Sequence, residues 1–159
     1  MPGCSGPGFS ADSISIIFQS PMMTILIAED EPLMLRALEL KLKREGYEVI
    51  TSRNGKEAIL KIEQFNPDLI ITDVMMPFTS GLEVVGMVKN GPYKRTPVIV
   101  LSSMGQEKIV EEAFEMGADD YVTKPFSLTE LSLRIRRLIK YAPIPIPKQE
   151  QGVFVKYYN

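Results

Sequence analysis

Four stretches of this chain place a chemically active side chain directly after a short apolar run. Residues 25–28 lead into Glu29, Asp30 and Glu31, residues 69–72 into Asp73, residues 98–101 into Ser102 and Ser103, and residues 121–123 into Lys124 and Pro125. If the runs lie side by side, their ends bring three carboxylates (Glu29, Asp30 and Asp73) to one rim with a hydroxyl and an ammonium. Carboxylates so gathered repel one another at neutral pH, and one is driven to keep its proton. A hard divalent cation relieves the repulsion. A few oxygen ligands with room left for water suit Mg2+, or Mn2+ in its place, better than zinc. Such a cation leaves positions open for the oxygens of an incoming phosphoryl group. Asp73 then fits the role of nucleophile, taking the group as an acyl phosphate. Lys124 would balance the phosphoryl charge opposite the metal, and Ser102 would donate a hydrogen bond to one of its oxygens. Each residue also has a plainer use: Glu29, Asp30 and Glu31 as helix N-terminal charge, Asp73 as a turn former, the serines as helix caps, Lys124 as a surface lysine. Joint placement at the ends of separate runs is what argues for chemistry.

The elements that must hold these residues are legible in the same pattern. Five short runs (25–28, 48–51, 69–72, 98–101 and 121–123) alternate with five helical stretches. Three of them, ILIA, LIIT and VIVL, are continuously apolar. A strand covered on one face alternates, whereas one buried on both faces need not. Continuous runs separated by helices specify an α/β fold of (βα)5 form, a doubly wound parallel sheet with helices on both sides. In such a sheet function gathers at the carboxyl ends of the strands. Pro32 opens the first helix, Leu35, Leu38 and Leu42 form its inner face, and Gly46 closes it. Asn54 caps the second, with Ala58, Ile59 and Ile62 inward and Pro67 beyond its end. Ser127 and Glu130 form a capping-box pattern before a helix with Leu131, Ile135, Leu138 and Ile139 on one face. Gly81–Asn90 and residues 106–116 fill the remaining slots, the latter ended by Gly117.

Composition narrows the field. The 159 residues include no histidine, which removes Ser-His-Asp and Cys-His triads, histidine-ligated metals and any phosphohistidine carried by this chain. The single cysteine, Cys4, excludes an intrachain disulfide and a cysteine-rich zinc site and fits a cytoplasmic protein. A net charge of −2 weighs against neutralising nucleic-acid phosphates. No apolar run approaches the roughly 20 residues that span a bilayer, so no membrane partner is expected. The first positive charge is Arg36, so no basic segment precedes the apolar patch at 13–18, which argues against a secretory signal. Residues 1–22 read as a flexible leader or appended sequence, and residues 23–141 as one domain. Residues 142–159 read as a proline-rich linker or tail, because Pro143, Pro145 and Pro147 forbid helix continuation. The apolar and aromatic stretch 153–158 within it is too short to be a domain.

Four motifs carry a family resemblance. Ile25-Leu-Ile-Ala-Glu-Asp-Glu31, Asp73-Val-Met-Met-Pro77, Val100-Leu-Ser102 and Gly117-Ala-Asp-Asp-Tyr-Val-Thr-Lys-Pro-Phe126 strongly resemble the receiver domain of two-component response regulators over residues 24–141. The resemblance implies a flavodoxin-like sheet with strand order 2-1-3-4-5 and a phosphoacceptor at Asp73, served by a sensor histidine kinase or phosphotransfer protein. It also implies that Glu29 and Asp30 are the acidic metal pair and that Met75 adds its backbone carbonyl to Mg2+. Ser102 matches the switch hydroxyl, Tyr121 the switch aromatic and Lys124 the phosphate-binding lysine, and the Lys124–Pro125 bond should be cis. The implied chemistry is Mg2+-dependent self-phosphorylation and self-dephosphorylation, not that of a turnover enzyme. On phosphorylation Ser102 would move toward a phosphoryl oxygen and Tyr121 would rotate inward. The face made by the fourth helix, fifth strand and fifth helix would thereby change for a downstream target or an output domain outside this chain.

The same face is a candidate for homodimerisation, since Asp119, Asp120, Glu130, Arg134 and Arg137 give it both signs of charge. The family's winged-helix transcription regulators pair Asp120-like and Arg134-like positions across a two-fold axis, although Val110 stands where they often carry a basic residue. Three further departures matter. Glu29 replaces the commoner aspartate, and Phe78 follows Pro77 where glycine is frequent. Met75 and Met104 stand two residues beyond site residues, where bulky apolar groups would exclude water and slow loss of the phosphoryl group. One alternative is the amino-terminal receiver of a longer DNA-binding transcription regulator. No helix-turn-helix or basic patch follows Tyr141, so no nucleic-acid contact is expected of this chain. A haloacid-dehalogenase-like phosphatase would need a carboxylate where Met75 stands. A flavin or nucleotide module would need a phosphate loop where the chain reads Glu29-Asp-Glu-Pro32.

Overall fold

A computed structural model of the protein describes Gly3, residues 22–103 and residues 105–141, with the side chain of Tyr141 excepted. The expectations placed on residues 1–21, Met104 and residues 142–159 lie outside the described residues. Ten elements alternate along the chain: β1 (Thr24–Ala28), α1 (Pro32–Arg44), β2 (Glu48–Ser52), α2 (Gly55–Phe65), β3 (Leu69–Asp73), α3 (Gly81–Asn90), β4 (Val98–Ser103), α4 (Glu107–Glu115), β5 (Asp120–Lys124) and α5 (Leu128–Tyr141). The strands form one parallel sheet in the order β2-β1-β3-β4-β5.

The continuously apolar runs occupy the three central strands, and alternate residues of each strand feed different layers. Ile25 and Ile27 pack with Leu35, Leu38 and Leu42 of α1 and with Leu131 and Ile135 of α5. Leu26 and Ala28 pack on the other side with Ala58 and Ile62 of α2, Val84 and Val88 of α3, and Ala113 of α4. Burial of each large aliphatic side chain contributes about 1.5–3 kcal/mol relative to exposure. The edge strand β5 alternates instead: Asp120 and Val122 are buried, and Tyr121 and Thr123 face outward.

Local capping fixes where the helices begin. Asn54 Oδ1 accepts a hydrogen bond from the amide of Glu57 at 2.8 Å. Ser80 and Glu83 form a full capping box at α3. At α5 only half of the expected box is made. Ser127 Oγ accepts from the amide of Glu130 at 3.0 Å, but the Glu130 carboxylate turns to Arg134. Gly46 and Gly117 follow α1 and α4 with φ values of +94° and +104°, a conformation that favours glycine. No helix among the described residues is long and apolar enough to cross a membrane.

Three strands that end at the site run further than their apolar letters suggested, as β2 also does by Ser52. Asp73, Ser102 with Ser103, and Lys124 lie inside β3, β4 and β5 as terminal residues, because the backbone ladder continues past the last apolar side chain. The side chains at these positions are therefore mounted on hydrogen-bonded backbone.

Candidate functional site

The carboxyl edge of the sheet draws together residues that lie far apart in sequence. Glu29 is the first residue past β1; its amide donates to the carbonyl of Ser52 at 3.1 Å, and its side chain is fully buried. Asp73 closes β3 opposite Leu101, and the next amide, Val74, donates to the Leu101 carbonyl at 3.0 Å. Lys124 closes β5 opposite Ser103. From there its ammonium donates to Asp73 Oδ2 at 2.5 Å and to Glu29 Oε2 at 2.7 Å. The remaining carboxylate oxygens are also held. Glu29 Oε1 accepts from the amide of Glu31 at 3.1 Å, and Asp73 Oδ1 accepts from the amide of Met75 at 3.0 Å.

Glu29, Asp30 and Asp73 each offer an oxygen within 4.8 Å of the others, and Asp30 is the most open to solvent. The donor set is hard, anionic and entirely oxygen, which fits Mg2+ or Mn2+. Burial pushes the Glu29 carboxyl above the usual range, a push to which the charge of Asp73 adds, while hydrogen bonds from Lys124 and the Glu31 amide oppose it. Burial by itself would lower Lys124, but its bonds to Asp73 and Glu29 outweigh that and hold it above its ordinary value. The ammonium therefore stays charged and neutralises part of the acidic cluster. Glu31 belongs to the backbone rather than to this cluster: its carboxylate caps α1, accepting from the amides of Leu33 and Met34 at 3.1 and 2.9 Å.

The remaining candidate residues spread outward from this cluster. The side chain of Met75 is 59% exposed beside Asp73. Ser102 is buried in the β4 backbone opposite Thr123. It lines a groove of about 370 Å³ with Val110, Phe114 and Tyr121. Tyr121, 40% exposed, lies edge-on to Phe114 with ring centroids 5.5 Å apart. The Lys124–Pro125 bond is cis. Asp120 accepts from both Arg134 and Arg137 of the same chain at 3.0 and 2.9 Å. Asp119, expected on that face, turns instead to Lys89 and the amide of Val98, because it lies at the entry to β5 beside the start of β4. Phe78 has a left-handed backbone (φ +67°), and its side chain is 90% exposed. Packing of Thr79 against Gly55 of α2 left no local signal in the sequence, since the two positions meet only through the fold.

A family model for the response regulator receiver domain matches residues 25–136. The transcriptional regulatory protein ResD of Bacillus subtilis is 42% identical over 118 residues, covering 74% of this chain and 48% of ResD. The alkaline phosphatase synthesis transcriptional regulatory protein PhoP of the same organism is 37% identical over 126 residues, covering 79% of this chain and 52% of PhoP. The chain thus spans about half the length of these relatives. Among solved structures, the chemotaxis response regulator CheY4 of Vibrio cholerae aligns with a TM-score of 0.69 at 31% identity, over 74% of this chain and 98% of that one.

Proposed function

This chain belongs to the response regulator receiver domain family, and from that premise we propose that it takes a phosphoryl group on Asp73 from a sensor histidine kinase or phosphotransfer protein. The observation that carries the reading is the Lys124 ammonium, which bridges Asp73 and Glu29 across separations of 51 and 95 residues. An Asp73 oxygen forms the new P–O bond as the P–N bond of the donor's phosphohistidine breaks. The imidazole leaves with that electron pair and takes its proton from solvent. Glu29, Asp30, Asp73 and the Met75 carbonyl would hold a Mg2+ or Mn2+, which when bound would supply positive charge for the phosphoryl oxygens. Lys124 shifts its hydrogen bonds from the carboxylates to a phosphoryl oxygen, and Ser102 donates to another.

Movement of Ser102 changes the wall of the groove it shares with Tyr121, and the ring turns inward. Phosphorylation contributes its differential interaction with the two arrangements and so shifts their populations. The altered face, formed by α4, β5 and α5, meets a downstream protein, an output domain or a second copy of the chain. A dimer would have to re-pair Asp120 and Arg134, which bond each other within one chain here. A second reading has its own support: ResD and PhoP are named as transcriptional regulatory proteins and are about twice as long as the stretch that aligns, so residues 23–141 would serve as the receiver of a longer regulator. Either role is exercised in the cytoplasm, where a histidine kinase presents its phosphoryl group.

Beryllofluoride with Mg2+ tests the site, followed by amide NMR and sedimentation. Shifts centred on Asp73 and Met75 that vanish in Asp73→Asn are expected. Unchanged spectra for the wild type would overturn the reading, and one sedimentation coefficient in both states would remove the dimer alone.

A further inference from the structure

The loop from β3 to α3, residues 74–80, carries Met75 and is pressed from two sides by glycines on different helices. A Cβ built on Gly55, the first residue of α2, would lie 2.2 Å from the carbonyl oxygen of Thr79 and 2.7 Å from its Cβ. A Cβ on Gly81, the first residue of α3, would lie 2.1 Å from the carbonyl oxygen of Asp73 and 2.9 Å from Cα of Val74. Real Cβ atoms essentially never approach another atom within 3.0 Å, and the nearest atoms here are backbone, which cannot swing aside. Neither glycine has a positive φ, so space rather than conformation excludes a side chain. The loop is otherwise tied by Thr79 N–H to the Pro77 carbonyl, Gly81 N–H to the Val74 carbonyl, each at 2.9 Å, and Val74 N–H to the Leu101 carbonyl at 3.0 Å. It also holds Phe78 in a left-handed conformation, which a non-glycine residue adopts only when its surroundings impose it.

From this arrangement we infer that Gly55 is a positioning residue for the metal-binding loop. The bare backbone at the start of α2 is a stop against which Thr79 seats, and that seating sets where residues 74–80 present the Met75 carbonyl beside Asp73. The inference rests on the receiver reading proposed above. A methyl group at position 55 would push Thr79 away by about 1 Å, a displacement large enough to spoil a site built on fixed geometry. Alanine suits a helix better than glycine, so the same substitution should not weaken α2 itself.

Gly55→Ala in the full chain tests this, with Mn2+ affinity read by electron paramagnetic resonance and the fold by amide NMR. The expected result is a native spectrum outside the loop and Mn2+ binding weakened about 10- to 100-fold, the range seen when groups that orient metal ligands are altered. Asn54→Ala disturbs the same helix end without adding bulk against Thr79 and should bind Mn2+ as the wild type does. Equal affinity in Gly55→Ala and wild type would overturn the positioning role alone, whereas a wild type that binds no Mn2+ would overturn the receiver site with it. Should Gly55→Ala fail to fold, a Mg2+ titration of wild type decides the matter. The Gly55 and Thr79 amides must move with the midpoint of Met75, and static amides there would refute the proposal.

Discussion

Lys124 bridges the Glu29 and Asp73 carboxylates, so Lys124→Met keeps its apolar stem and deletes what holds them together. Oxygens of Glu29 and Asp73 lie within 4.8 Å. At that separation two unit charges repel by about 3.5 kcal/mol at an effective dielectric constant of about 20. The lost bonds to the ammonium add to this, while the 21% exposure of the lysine side chain lets solvent recover part. The net loss expected at neutral pH is about 3 kcal/mol, in the lower range for breaking a buried pair. The pH dependence has a definite sign. Glu29 already lies above its ordinary value of 4.5, chiefly through burial, and losing the ammonium raises it further. A group raised on folding binds more protons in the folded state. Its stabilisation is complete below the unfolded value and fades as pH rises through the folded one. The variant should therefore regain stability as pH falls toward 4.5, and also on adding Mg2+ at neutral pH. Urea unfolding at both pH values, with and without Mg2+ and in Glu29→Gln/Lys124→Met, measures this. A loss independent of pH, untouched by Mg2+ and undiminished in the double variant would refute the electrostatic reasoning.

Asn54→Ala removes the cap of α2 and should cost about 1 kcal/mol in urea unfolding. Phe78→Gly should raise stability by about 1 kcal/mol, because it relieves a left-handed residue whose side chain is almost wholly in solvent; a destabilised variant would show that the ring packs on something. Met75, exposed beside the phosphoacceptor, should slow attack of water on the acyl phosphate. Loss of label should take well beyond seconds and should quicken in Met75→Asn, so decay within seconds in the wild type would contradict that role.

The layers and the rim were legible because they depend on local letters. ILIA, LIIT and VIVL can be buried on both faces only in a central strand, and each is followed by the residue that reaches the site. Strand ends were less legible, since Asp73 and Lys124 remain in the ladder through backbone bonds that polar side chains do not advertise. Glu31 looked like one more acid at the rim, yet the free amides of Leu33 and Met34 claim it first. Glu130 has the spacing to complete a capping box but sits one turn from Arg134, whose charge wins it. Asp119 was misplaced because Lys89 and Val98, its partners, come from elements whose packing no local pattern reveals. The contacts of Gly55 and Gly81 were invisible for the same reason, as each glycine is required by backbone from another part of the chain.

Which carboxylate takes the phosphoryl group is the decisive question for this protein. Incubation of the full chain with acetyl phosphate and Mg2+, borohydride reduction and peptide sequencing by mass spectrometry would identify it. Homoserine at position 73, absent without Mg2+ and absent in Asp73→Asn, is the predicted result. Reduction product at another carboxylate, or a product that survives in Asp73→Asn, would contradict it.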